Sequence, residues 1–235
     1  MPSLAIKARD LTKWFGVGEA RTYAVRGASF DACFNEMLYV VGPSGSGKTT
    51  LLSMISGILR PNSGSVQVED KDIWALGKDE LADFRLNKIG FVFQDYHLFP
   101  RLTSAENVAI PLILRRCGWD ESIGEAMRYL EIVGLKERAQ LPPISLSSGE
   151  QQRVAIARAI VGQPDILIFD EPTASLDGET GRRILEFIKT NILSEHRCIV
   201  IVTHDSRIFE YASRIIRMED GQIKGIEGEG APVAE

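Results

Sequence analysis

Apolar positions along the chain fall into two regimes. Continuous apolar runs occupy residues 37–41, 88–93, 166–169 and 199–202. They are too short to cross a membrane and are bounded by turn residues, which predicts strands buried on both faces, as in a parallel sheet. Helical spacing of apolar positions predicts helices over 49–59, ending before Pro61, across 103–139, over 151–161 and over 179–192. Residues 4–8 and 23–30 read as an antiparallel edge joined through Gly16-Val17-Gly18, with short edge segments at 65–68 and 73–76. Within 103–139, Leu112, Ile113, Met127, Leu130, Ile132 and Val133 are the candidate packing positions of an inserted helical subdomain. Residues 227–235, rich in Gly, Glu, Ala and Pro, read as a frayed tail.

A chain of 235 residues with 44% hydrophobic content sustains one large α/β domain carrying such an insertion. Net charge is only -5 and the 27 basic residues are scattered, so a nucleic-acid partner is not expected. Cys33, Cys117 and Cys198 are isolated and lack metal-ligand spacing, which suits reduced packing residues. Met1-Pro2-Ser3-Leu4 does not lead into an apolar stretch, and no run approaches the ~20 residues of a spanning helix. The expectation is a soluble chain whose membrane role, if it has one, comes through a partner.

Candidate chemistry begins where the first apolar run ends. Gly42-Pro43-Ser44-Gly45-Ser46-Gly47-Lys48-Thr49, with Thr50 next, stands between a strand and a helix. Such a loop offers successive backbone N–H groups and a helix N-terminus to a triphosphate. Lys48 then meets the β- and γ-phosphates and the Thr49 hydroxyl ligates Mg²⁺. Asp170 ends another strand, where a carboxylate points into the same crevice and holds Mg²⁺ through water; Glu171 beside it is the candidate general base for an attacking water. His204 follows the run at 199–202 and emerges at the same sheet edge, within reach of a γ-phosphate. Gln94, also at a strand end, has an amide able to bind Mg²⁺ and water, although locally it reads equally as a loop residue. A second helix start, Leu146-Ser147-Ser148-Gly149-Glu150-Gln151, offers a hydroxyl and free N–H groups to another anion, although ordinary capping explains the local sequence.

Taken in order, these motifs resemble the nucleotide-binding subunit of an ATP-binding cassette transporter over residues 4–225. The phosphate loop is at 42–49, the Q-loop glutamine at Gln94, the signature at 146–151, the acidic strand end at Asp170-Glu171, the D-loop at Ser175-Leu176-Asp177 and the switch histidine at His204. The segments 16–25 and 90–98 are most similar to the macrolide-exporter and lipoprotein-releasing group. The resemblance implies an α/β phosphate-loop NTPase core with a mostly parallel sheet (1–94 and 162–225). It adds an N-terminal antiparallel β subdomain, a helical subdomain at about 95–161 and a flexible tail at 226–235. It also implies a homodimer that sandwiches two ATP with Mg²⁺, in which Ser147, Gly149 and Gln151 act in trans and Asp177 crosses the interface. Phe15, with Trp14 as the fallback, matches the aromatic that stacks on adenine.

Further implications are integral-membrane permease subunits, a position on the cytoplasmic face of the inner membrane, and ATP hydrolysis driving export or membrane extraction. The subgroup allows a periplasmic adaptor. Tyr96, His97, Leu98 and Phe99, with the helical subdomain, form the expected seat for the permease unless they pack inside the subdomain. The same engine could serve a non-transporting complex that transmits force to envelope enzymes. A soluble cassette acting on DNA or ribosomes fits poorly, because the interval from Gln94 to Leu146 has room only for a compact subdomain. A simple phosphate-loop kinase would need no signature. Three departures from the family pattern stand out: Ser148 in place of a glycine, Glu150 in place of glutamine, and Phe15 in place of tyrosine.

Overall fold

The computed structural model describes residues 3–174 and 176–228. In chain order its elements are β1 (Leu4–Phe15), β2 (Thr22–Cys33), β3 (Glu36–Val41), α1 (Lys48–Ile55), β4 (Ser63–Val68), β5 (Lys71–Asp72), α2 (Lys78–Lys88) and β6 (Ile89–Val92). There follow α3 (Ser104–Leu114), α4 (Trp119–Ile132), α5 (Ser148–Ile160), β7 (Ile166–Asp170), α6 (Gly178–Phe187), β8 (Cys198–Thr203), β9 (Arg214–Glu219) and β10 (Gln222–Gly228).

The central sheet has the order β10-β9-β3-β8-β7-β6. Every pairing from β9 to β6 is parallel, and β10 joins β9 antiparallel. Alternate residues of each central strand enter different cores, which explains the unbroken apolar runs. Tyr39, Leu167, Phe169, Ile199 and Ile201 pack toward α3, α4, α5 and α6. Leu38, Val40, Ile166, Ile168, Val200 and Val202 pack toward α1 and a second, antiparallel sheet of order β2-β1-β4-β5. No disulfide joins the cysteines among the described residues, and Cys33 and Cys198 are buried.

The structure departs from the sequence expectations at several elements. The opening hairpin is far longer than 4–8 and 23–30, because β2 and β4 flank β1 on both sides and carry its polar second half through register shifts. Residues 73–75 form a 3₁₀ turn, not an edge strand, since the Asp72 carboxylate accepts from the Trp74 N–H at 2.9 Å. The first helix stops at Ile55, and Gly57 then turns the chain at φ +73°. The expected helix over 179–192 loosens into a π turn at Ile188–Ile192. The tail begins later than 226, because Ile226, Glu227 and Gly228 pair with Ile216, Ile215 and Arg214; residues 229–235 lie outside the described residues.

Candidate functional site

The phosphate loop is shaped by contact with its neighbours. Gly47 sits at φ +95°, and a Cβ there would lie 2.1 Å from the Ala24 carbonyl oxygen on β2. At Gly42 a Cβ would lie 2.1 Å from the Met218 carbonyl oxygen on β9. Glycine is therefore required at both positions by close backbone approach as well as by dihedral angle. No side chain caps α1 at Gly47, which leaves the N–H groups of its first turn for a ligand. The Lys48 ammonium folds back, donating to the Gly42 and Pro43 carbonyls at 2.8 Å each. Burial pushes its pKa down, against the opposing pull of Glu171 and Asp170.

Opposite the loop stand the ends of β7 and β8. Their parallel register pairs Asp170 with Val202, so Glu171 and His204 emerge side by side. His204 Nδ1 lies 2.8 Å from Glu171 Oε1. Glu171 has a left-handed backbone at φ +51°, and its N–H is held by the Val202 carbonyl at 2.9 Å. The Thr49 hydroxyl donates to Asp170 Oδ1 at 3.2 Å. Asp170 is 5% exposed, and burial raises its pKa more than the Thr49 bond lowers it. A cavity of about 490 Å³ opens between these groups. Its lining brings together Pro43, Ser44, Gly45, Gly47, Lys48, Thr49, Thr50, Gln94, Glu171 and His204.

The donors present fit Mg²⁺. That ion takes oxygen ligands and keeps several waters, binding through one or two protein groups plus phosphate oxygens. A threonine hydroxyl, a glutamine amide lining the same cavity, and a buried carboxylate that burial makes costly to ionise form such a set. Thr49 and Gln94 would hold the ion, with Asp170 behind Thr49.

Other expected residues do not line this cavity. Phe15 lies at the end of β1, 49% exposed, with the Lys13 ammonium 5.6 Å from its ring centre. Trp14 is already engaged by Tyr23 and Arg21. Ser147 caps α5, accepting from the Glu150 N–H, while the Glu150 carboxylate takes the Ser147 N–H and hydroxyl at 2.9 Å each. Gly149 is buried and Gln151 donates to the Leu146 carbonyl. Ser148 belongs to the first turn of α5 and has no positive φ, so its Cβ is accommodated. Asp177 caps α6, accepting from the Glu179 and Thr180 N–H groups at 3.0 Å; Ser175 lies outside the described residues.

Three further features of the site carry no local sequence motif or lie apart from the motifs above. Ala24 completes the cavity wall. The β9–β10 turn, Asp220-Gly221, braces the phosphate loop: the Gly221 N–H donates to the Ser46 carbonyl at 3.1 Å and its carbonyl accepts from the Arg26 N–H at 2.7 Å. An Asp-Gly pair between apolar positions is a hairpin signal that would have revealed it. The third is Gln152, buried on α5 against Pro172.

Residues 25–174 match the family model described as ABC transporter. The lipoprotein-releasing system ATP-binding protein LolD of Geobacter metallireducens is 40% identical over 221 residues, covering 94% of this chain and 98% of its own. The putative hemin import ATP-binding protein HrtA of Staphylococcus haemolyticus is 38% identical over 221 residues, covering 94% and 100%. Among solved structures, the dimeric, post-hydrolysis ATP-binding cassette MJ0796 bound to ADP and Pi, a protein of Methanocaldococcus jannaschii, matches with TM-score 0.88 and 35% identity, over 96% of this chain and 100% of that one.

Proposed function

The chain belongs to the ABC transporter family and is an ATPase, and from that premise we propose that it pairs with a second copy around two ATP molecules and drives permease subunits that export a substrate or extract it from the membrane. The observation that carries this reading is the division of the site. The cavity holds the loop, Gln94, Glu171 and His204, whereas no residue of 146–151 lines it. A second chain supplying Ser147, Gly149 and Gln151 would close it, with Asp177 at the crossing. Phe15 is exposed enough to receive adenine. The dimeric cassette bound to ADP and Pi supports the same arrangement.

In this mechanism the loop N–H groups take the phosphates, and Lys48 exchanges two carbonyls for phosphate oxygens. Thr49 and Gln94, with Asp170 behind, would hold Mg²⁺, which would supply charge neutralisation at the phosphates. Glu171 orients a water and takes its proton. His204 Nδ1 stands 2.8 Å from that carboxylate, and Nε2 reaches a γ-phosphate oxygen as a donor when it carries a proton. Converting Glu171→Gln keeps ATP binding, nearly abolishes turnover and traps the closed pair; hydrolysis at the unaltered rate would refute the base.

Permease coupling is supported by an apolar groove. Ile58, Ala82, Leu86, Ile89, Phe91 and Leu114 line a cavity of about 490 Å³, with Ile58 and Leu114 exposed. From Phe91 a line of rings continues to Phe93 at 4.2 Å and on to His97 at 4.7 Å, flanking Gln94. Of the residues expected to seat the permease, Tyr96 is buried in the helical core and Leu98 packs on it, while His97 and Phe99 remain exposed. Among the described residues no helix is long and apolar enough to cross a membrane. We place the working complex on the cytoplasmic face through those permease subunits. Relatives bearing both releasing and import names are similar to this chain, so the substrate is set by the permease.

A further inference from the structure

A buried amide links the two ends of this chain's machinery. Gln152 lies on α5, five residues past the Ser147 cap, and is 0% exposed. Its Nε2 donates to the Pro172 carbonyl, and its buried Oε1 has no hydrogen-bond partner among the described residues. Burying an amide with one end unpaired costs free energy that an apolar side chain of similar volume avoids. Packing alone therefore does not account for a glutamine here.

Pro172 directly follows Glu171, whose left-handed backbone must be held against its own preference. Three contacts brace that turn. The Glu171 N–H donates to Val202 on β8, the Ala174 N–H donates back to the Glu171 carbonyl at 3.2 Å, and the Gln152 amide grips Pro172. Of these, the third comes from α5, the helix whose start does not line the chain's own phosphate cavity.

We infer that Gln152 is a positioning residue for Glu171, tying the stance of one chain's carboxylate to the engagement of the same chain's α5 with the nucleotide held by its partner. The inference rests on the shared site proposed above. When the start of α5 meets the other chain's phosphates, its displacement passes through one side chain to the peptide that aims Glu171. Each carboxylate is thus set by binding at the opposite site, and hydrolysis becomes positively cooperative in ATP.

Gln152→Met removes the donor and the unpaired acceptor while keeping the side-chain length. The expected result is a Tm within about 2 °C of the wild type and unchanged ATP affinity. We expect a kcat lowered roughly ten- to a hundred-fold, the range for a slightly misplaced catalytic group, with little change in KM and a Hill coefficient falling toward one. In the Glu171→Gln background, Gln152→Met still pairs on adding ATP. Wild-type kcat and Hill coefficient in Gln152→Met would overturn the inference. So would equal losses of Tm and turnover in both Gln152→Met and Gln152→Leu, which would assign the residue to packing. If the reading of Glu171 itself fails, Glu171→Gln turns over normally; if the Gln152 link alone fails, Glu171→Gln is inactive and Gln152→Met is not.

Discussion

Two helices of this chain begin at glycine-containing motifs, and they begin differently. At α1 the cap is Gly47, with no side-chain partner, so the N–H groups of the first turn await an anion. At α5 the cap is Ser147, closed reciprocally by Glu150 and tied further to Arg138 at 3.1 Å. The first start is incomplete without its ligand. The second is complete within the chain, so under the proposed mechanism it exchanges part of its own cap on meeting a phosphate. On the proposed reading, nucleotide capture belongs to one chain, and closure carries a cost that a second nucleotide-loaded chain offsets.

That contrast can be broken at either end. The largest effect is expected at the open start: Lys48→Ala removes the charge facing the phosphates and lowers ATP affinity by roughly a hundred-fold, a loss of about 2.7 kcal/mol, measurable by calorimetric titration. Unchanged affinity would remove Lys48 from the site. Next comes Ser147→Arg at the closed start, which leaves ATP binding by each monomer intact but stops pairing and turnover. Wild-type turnover in that variant would show that α5 takes no part. The smallest effect sharpens the comparison. Glu150→Ala opens the reciprocal cap at a cost of about 1 kcal/mol, or roughly 2–4 °C in Tm for a chain of this size. The backbone and hydroxyl bonds from Ser147 hold the Glu150 carboxyl below the usual range. Its stabilising contribution is thus present above the ordinary carboxylate pKa and lost as pH falls through the lowered value. The Tm gap between the wild type and Glu150→Ala should close in acid.

How much of this was legible in the sequence depended on burial. β3, β7 and β8 are apolar at nearly every position because both faces are covered, so they stood out, and with them the loop, Asp170, Glu171 and His204. α2 went unread because Lys-Asp-Glu-Leu-Ala-Asp-Phe-Arg-Leu-Asn-Lys has no buried residue and thus no apolar stripe. β10 went unread because an edge strand with half-exposed positions and two glycines carries little alternation. Gln152 could not be found by pattern, since its contact is with Pro172, twenty residues away in sequence. Ser148 was legible as a departure from the family pattern, and the room for its Cβ comes from a helical backbone that only the fold supplies.

The most direct measurement of the shared site is the ATPase rate per chain as a function of chain concentration, followed alongside the sedimentation mass. If each pocket is completed by a second copy, the rate per chain rises with concentration and levels off as the 26.0 kDa chain becomes a transient pair in the presence of ATP. A rate per chain that is constant at full turnover while the protein remains monomeric throughout would contradict it.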